Sequence, residues 1–415
     1  MPELIERNLL PFAREAQEAF PVLVIQGGRQ VGKSTFAQRL AQGRESRLFT
    51  LDNEASLDAA RADPRGFVDQ NPAATIVIDE VQRAPGLILA VKASVDRDRR
   101  PGRFILTGSL NLLRLERTPD SLAGRAVTVA LHGFSQDELA RRRGDFASAV
   151  RQGARFVDFA TTWQRNDYVE ALSRGSYPEA QGLSGRLRNV WLDSYLSRIL
   201  QRDAVEIRRD TQPARLDSVM RLLAANQSGE LVKARIAAQA NIPASSIGGY
   251  LDLLETLFLI ATLPPWTPNL TKREVGRAKA IVNDSALAVR LSRLTENQLK
   301  SFDGSDHLGA LIEGLVVQEL MKQSGWSDEE FELFHYRDRN GVEVDVVIEF
   351  ADGSVFGVEV KAGKTFKAEH FSGLSALAAR AGERFLGGVV LNTSDQGYQF
   401  SRGLYGLPIS ALWEL

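Results

Sequence analysis

The sequence predicts an α/β protein: a parallel-sheet region first, a helical middle, and a second α/β region at the C-terminus. Three observations carry this. The apolar run Val22-Leu23-Val24-Ile25 leads into Gly27-Gly28-Arg29-Gln30-Val31-Gly32-Lys33-Ser34-Thr35 and then into a helical pattern over residues 34–41. Strand-like and helix-like segments alternate to about residue 140, the rhythm of a parallel sheet covered by crossover helices. Near the C-terminus, two alternating apolar runs flank Ala351-Asp352-Gly353, a hairpin signal.

Residues 1–20 read as a helix leading into the first strand. The glycine loop fits G-x-x-x-x-G-K-[ST]. A strand, a glycine turn and a helix N-terminus together form an anion trap. Backbone N–H groups of Gly27 through Thr35 are expected to wrap phosphates, Lys33 to reach the β- and γ-phosphates, and Ser34 to ligate Mg²⁺. Leu48-Phe49-Thr50-Leu51, ending in Asp52, reads as a further strand. Thr75-Ile76-Val77-Ile78 is an apolar strand closing on Asp79 and Glu80. Asp79 is expected to hold Mg²⁺ through water, and Glu80 to deprotonate the attacking water. The charged stretch 96–103 is expected to be a solvated turn. Phe104-Ile105-Leu106 follows and closes in Thr107-Gly108-Ser109. Its two hydroxyls either sense the γ-phosphate and the lytic water or belong to an ordinary turn.

Residues 135–210 read as mostly helical, broken at Pro178 and at Gly182 and Gly185. Residues 216–225, 232–239 and 245–257 read as three helices, and Leu257-Phe258-Leu259-Ile260 as a strand, a winged helix-turn-helix pattern. The would-be recognition helix carries acids and no Lys or Arg, so protein contact is a better expectation than groove reading. Pro264-Pro265-Trp266-Thr267-Pro268 marks a boundary. The expected domains are therefore residues 1–140, 141–212, 213–265 and 266–415.

In the C-terminal hairpin, a three-residue loop with Gly353 left-handed pairs Phe350 with Ser354, whereas a two-residue turn at Asp352-Gly353 would scramble the faces; the clean split favours the three-residue loop. Asp345 then lies opposite Glu359 and Glu343 opposite Lys361. One face presents Glu343, Asp345, Glu359 and Lys361; the other presents Val344, Val346, Ile348, Phe350, Phe356, Val358 and Val360. Asp345 and Glu359 are candidate ligands for Mg²⁺ or Mn²⁺, with Glu313 a further one and Lys361 orienting a water. The other reading of the same residues is a solvated sheet face carrying ion pairs.

The 415 residues are 44% hydrophobic, enough to bury real cores. Formal net charge is −1, so any nucleic-acid binding must come from local patches. The absence of cysteine excludes disulfides and thiolate metal sites. No apolar run approaches the ~20 residues of a membrane span, and the first residues lack a signal-peptide pattern, so a cytoplasmic location is expected.

These motifs carry a resemblance that covers nearly the whole chain. GGRQVGKST, IVIDE, FILTGS and SLAGR occur in the order seen in prokaryotic AAA+-type P-loop ATPases, many with a C-terminal domain resembling PD-(D/E)xK nucleases. Glu313 in EGLVVQEL, Asp345 in EVDVVI and Glu359-Val360-Lys361 match that second pattern, although Val344 stands where its proline would be. The resemblance implies ATP hydrolysis, a restriction-endonuclease-like C-terminal fold and possible homo-oligomers completed by an arginine from a neighbouring subunit. Arg125 is the candidate, its other reading being a pair with a local acid. Two functions follow: an ATP-driven DNA-processing enzyme, or a nucleotide switch whose C-terminal domain docks DNA or a protein. A small-molecule kinase is the third class, opposed by Glu80.

Overall fold

Five strands build the first sheet: β1 (Val22–Gln26), β2 (Ser46–Thr50), β3 (Thr75–Asp79), β4 (Phe104–Gly108) and β5 (Ala126–Ala130). The computed structural model describes residues 4–110, 122–269, 271, 273, 276–301 and 305–415; Ser121 of the SLAGR motif lies outside them. The sheet order is β2-β3-β4-β1-β5, and every pairing is parallel. All residues of β1, β3 and β4 are buried, as expected of inner strands covered on both faces. The flanking β2 and β5 keep exposed positions. Val22, Ile76, Ile78, Leu87, Val91, Phe104 and Leu106 share one core. Asn53 and Asp63 cap the helices Glu54–Ala62 and Pro64–Asp69 by accepting from the Ser56 and Gly66 N–H groups.

The parallel arrangement brings Gly27, Asp79 and Thr107 to one edge of this sheet, at the carboxyl ends of three adjacent strands. Stretch 96–103 departs from the expected solvated turn. The helix Gly86–Arg97 fills its first part, and Arg103 is buried. Its guanidinium donates to Ser94 O at 2.8 Å, Ser94 Oγ at 2.6 Å and Asp98 O at 3.1 Å.

The chain divides into two compact units, Met1–Phe134 with Leu254–Phe258, and Ser135–Leu253 with Leu259–Leu415. The second begins with helices. Arg165–Arg174 stops at Gly175, whose φ is +70°, and Gly185–Arg198 starts beyond the expected break. The three expected middle helices are Pro213–Ala225, Lys233–Gln239 and Ile247–Thr256. The strand expected from Leu257 starts only at Ile260, because Phe258 turns with φ +56°. β6 (Ile260–Leu263) pairs antiparallel with β7 (Lys279–Val282).

A helix, Ser305–Gln323, then leads to β8 (Phe331–Arg337), β9 (Glu343–Phe350), β10 (Val355–Val360), the helix Ser372–Ala381, β11 (Phe385–Asn392), β12 (Tyr398–Ser401) and β13 (Leu404–Pro408). The sheet is mixed, ordered β12-β13-β11-β10-β9-β8, with β8-β9-β10 an antiparallel meander and β10-β11 parallel. Among the described residues no helix is long and apolar enough to cross a membrane.

Arg103→Ala should lower the stability of the first unit by about 3 kcal/mol, because it leaves buried oxygens without their donor. Thermal unfolding followed by circular dichroism checks this; an unchanged midpoint would mean the guanidinium contributes nothing.

Candidate functional site

The glycine loop is shaped by close approach and by left-handed backbone. A Cβ on Gly27 would sit 2.0 Å from Leu131 O, so glycine is required there. Gln30 and Gly32 have φ of +60° and +97°. Arg7, which the sequence reading did not single out, braces the loop from outside by donating to Val31 O at 3.0 Å and His132 O at 2.6 Å. Lys33 opens the helix Lys33–Ala41, is 5% exposed, and donates through Nζ to Gly28 O at 2.8 Å. Burial lowers its pKa, against the pull of the Glu80 and Asp79 charges.

The carboxylates of β3 are held from two sides. Ser34 Oγ donates to Asp79 Oδ2 at 2.8 Å, and the Thr107 hydroxyl donates to Asp79 Oδ1. Thr107 Oγ1 also accepts the Glu80 N–H at 3.1 Å. Glu80 sits in the left-handed region at φ +60°, a conformation that costs about 1–3 kcal/mol for a non-glycine residue. Its Oε2 accepts from Ser109 Oγ at 2.8 Å and from Gln82 Nε2. Gln82 also donates to Ser109 Oγ at 3.0 Å. Thr107 and Ser109 both brace the carboxylates of this strand end, through the Asp79 and Glu80 side chains. Gln82 was invisible in the sequence because its position after Glu80 carries no motif; only the turn Val81–Arg83 brings it back.

Arg125 lies at the other end of the sheet. β1 pairs Val22 with Ala126, so Arg125 stands near the start of β1 while the glycine loop follows its end. Arg125 Nε donates to Asp96 Oδ1 at 2.6 Å, the local-acid arrangement. It is remote from the glycine loop of its own chain.

The C-terminal hairpin has the expected register, from Val355↔Glu349 to Val358↔Val346, with Phe350 N–H donating to Ser354 O and Gly353 at φ +80°. The paired register ends at Val358↔Val346, and beyond it the Asp345 charge still acts on Glu359. The expected split into one charged and one apolar face fails, however. Val344 and Val347 share a core with Val355, Leu374 and Leu377, because a register shift against β8 inserts an extra residue into β9. Nor is the charged cluster a solvated face: Asp345 and Glu359 are 5% and 6% exposed.

Lys279 of β7 enters this cluster, and the sequence reading missed it. Its Nζ donates to Glu313 Oε1 at 2.7 Å and pairs with Asp345 Oδ1 at 3.5 Å. Asp345 Oδ2 accepts the Val360 N–H at 2.8 Å. Lys361 Nζ donates to Glu359 Oε1 at 2.5 Å, and Glu359 Oε2 is buried without a partner. Burial, then the Asp345 charge, push Glu359 up to about 8, against the pull of Lys361. Burial works to lower the Lys279 pKa, but Glu313 and Asp345 outweigh it and hold the ammonium protonated.

Residues 19–140 match a family model described as "AAA domain". Residues 165–298 and 308–412 match models described as "Domain of unknown function (DUF8612)" and "Domain of unknown function (DUF4143)". Two uncharacterized proteins, from Mycobacterium bovis and Mycobacterium tuberculosis, are each 27% identical over 365 residues, 87% of this chain and 75% of theirs. Among solved structures, a Walker-type ATPase of Pyrococcus abyssi is 17% identical, with a TM-score of 0.43 over 69% of this chain and 96% of that one. AMPPCP-bound DnaA from Aquifex aeolicus is 12% identical, with a TM-score of 0.29 over 60% and 86%. The N-terminal region is an AAA+-like P-loop nucleotide-binding domain, followed by two regions of unassigned function.

Glu359 supplies a pH dependence. Its folded pKa of about 8 lies above the ordinary 4.5, so its contribution to stability is complete below about pH 4.5 and lost as pH rises to about 8. Glu359→Gln removes that loss, so from about pH 5 to about pH 9 the variant should gain stability relative to the parent. Urea unfolding read by tryptophan fluorescence checks it, since Trp163, Trp191, Trp266, Trp326 and Trp413 all lie in the second unit. Parallel pH profiles would contradict it.

Proposed function

We propose that this chain is an ATP hydrolase that works as a nucleotide-dependent switch, with a C-terminal body that docks its partner. The observation that carries the reading is the Asp79 carboxylate held between Ser34 and Thr107, with Glu80 beside it. The loop amides from Gly27 to Thr35, including those of Arg29, Gln30 and Val31, take the phosphates, and Lys33 exchanges Gly28 O for a phosphate oxygen. Ser34 and Asp79 fit Mg²⁺, an oxygen-ligated cation whose chemistry is charge neutralisation on the phosphates. Glu80 accepts the proton of the attacking water, oriented by Ser109 and Gln82. Completion of the site by Arg125 of a second copy rests on the resemblance alone.

The three middle helices and the β6–β7 ribbon suit a winged helix used for protein contact, since Ile247–Thr256 has no cation for phosphate. The C-terminal order of helix, three-strand meander, helix and parallel strand suits a nuclease-like body. A DNA-cutting motor remains the second reading, favoured by Asp345, Glu359 and Lys361 in one cluster. Docking is favoured by Lys279 inside that cluster and by a hollow of about 380 Å³ lined by Phe366, Lys367, Phe371, Tyr398 and Phe400. Tyr398 and Phe400, exposed beside Lys367, suit stacked bases of single-stranded nucleic acid.

Lys33→Ala should lose nucleotide binding, whereas Glu80→Gln should bind ATP normally and hydrolyse it about 100-fold more slowly or worse. Equilibrium binding of a fluorescent ATP analogue, with phosphate release in parallel, separates the two. Equal loss of binding in both variants would make Glu80 structural. Phe400→Ala should weaken capture of a single-stranded oligonucleotide by about tenfold, a base-stacking contribution of about 1–3 kcal/mol, as read by fluorescence anisotropy. Unchanged anisotropy would move the docking surface elsewhere.

A further inference from the structure

A divalent metal at the C-terminal cluster needs several free carboxylate oxygens converging on one point. The residues do not offer that. The Lys279 ammonium takes the position between Glu313 Oε1 and Asp345 Oδ1, and its side chain is 5% exposed. Asp345 Oδ2 is committed to the Val360 amide, and Glu359 Oε1 to Lys361. Among the described residues, no group of three or more His, Asp or Glu is placed to hold a metal.

We propose that the Lys279 ammonium is the resident cation of this cluster, standing where a divalent metal would stand, and that it masks a latent metal site made by Glu313, Asp345 and Glu359. Two buried carboxylates repel each other unless a positive charge lies between them. In this chain that charge is covalently supplied, from a strand that sequence order places well before the hairpin. Lys279 is anchored on both sides: β7 pairs Lys279 with Leu263 of β6, and Glu230 forms a further bridge to it. These pairings fix its backbone, and its buried side chain, 5% exposed, lies against the carboxylates. Glu359 Oε2, buried and unpartnered, is the oxygen that a doubly charged cation with a larger coordination number would recruit and that the ammonium leaves unused.

The inference deepens the docking reading and rests on it: a body whose carboxylates already hold a lysine is a binding module. The test is Mn²⁺ binding to the full chain without nucleotide, read from the electron paramagnetic resonance signal of free Mn²⁺. Lys279→Met keeps the apolar stem and removes the charge. It should gain one Mn²⁺ site about tenfold or more tighter than anything in the parent, and Glu313→Gln in the same chain should abolish the gain. Mn²⁺ should also restore the thermal stability that Lys279→Met loses. Absence of any gain in a folded Lys279→Met protein overturns the proposal. Because that variant could fail to fold, Asp345→Asn is measured in the otherwise unaltered chain. No change in its Mn²⁺ titration supports the proposal, and loss of a site present in the parent overturns it. Failure of the docking reading has a different signature: Mn²⁺-dependent DNA cleavage by the parent chain that Asp345→Asn removes.

Discussion

Burying an ammonium group costs several kcal/mol unless oxygens replace its water, and two buried lysines meet that constraint in opposite ways. Lys33 donates to one neutral carbonyl, Gly28 O, and burial lowers its pKa. It is under-compensated, so an arriving phosphate improves its surroundings. Lys279 lies against two carboxylates, and their charges outweigh its burial. It is already compensated, so an arriving anion or metal must displace a partner. Similar burial therefore yields a receptive site in one place and a closed one in the other.

The sheet of the first unit explains how the receptive site is assembled. Placing β4 between β1 and β3 puts Thr107 between the glycine loop and Asp79. One hydroxyl then fixes both the Asp79 side chain and the Glu80 backbone. The strained backbone at Glu80 is held by this bond and by the bonds from Ser109 and Gln82 to its carboxylate. A donor that positions a carboxylate leaves its remaining oxygen lone pairs facing the loop, where cation and water chemistry would take place.

The legible part of this architecture was whatever local periodicity or turn chemistry encodes. The loop, β1, β3 and β4 followed from apolar runs ending in glycine or acid. The hairpin register was expected from a left-handed Gly353 together with the clean split of faces that a three-residue loop gives; the register holds although the split does not. Three kinds of feature were not legible. The extra residue in β9 depends on how β8 packs, and nothing within β9 announces it. The bracing roles of Thr107, Ser109 and Gln82 depend on strand order, which spacing does not give. Lys279 begins the apolar strand Lys279–Val282 and reads as a charged strand end; only the pairing of β7 beside the helix carrying Glu313 makes it a buried ion-pair partner.

A nuclease-like order of elements and a nuclease-like set of acids are separate claims, because a fold hosts chemistry only through its site. The helix, meander and parallel strand would be needed to present Glu313, Asp345 and Glu359 whether those acids held a metal or a lysine. What differs is the cation, and a lysine side chain cannot offer a phosphate ester the open coordination positions that a metal offers. It can hold the carboxylates together without any ion from solution, so the C-terminal body keeps its packing at any magnesium concentration. The N-terminal loop has the reverse property: its charges are balanced only when phosphate and cation arrive. On this reading the chain joins one part whose electrostatics wait for a ligand to another whose electrostatics are complete, and that asymmetry is what a nucleotide switch with a constant docking surface requires.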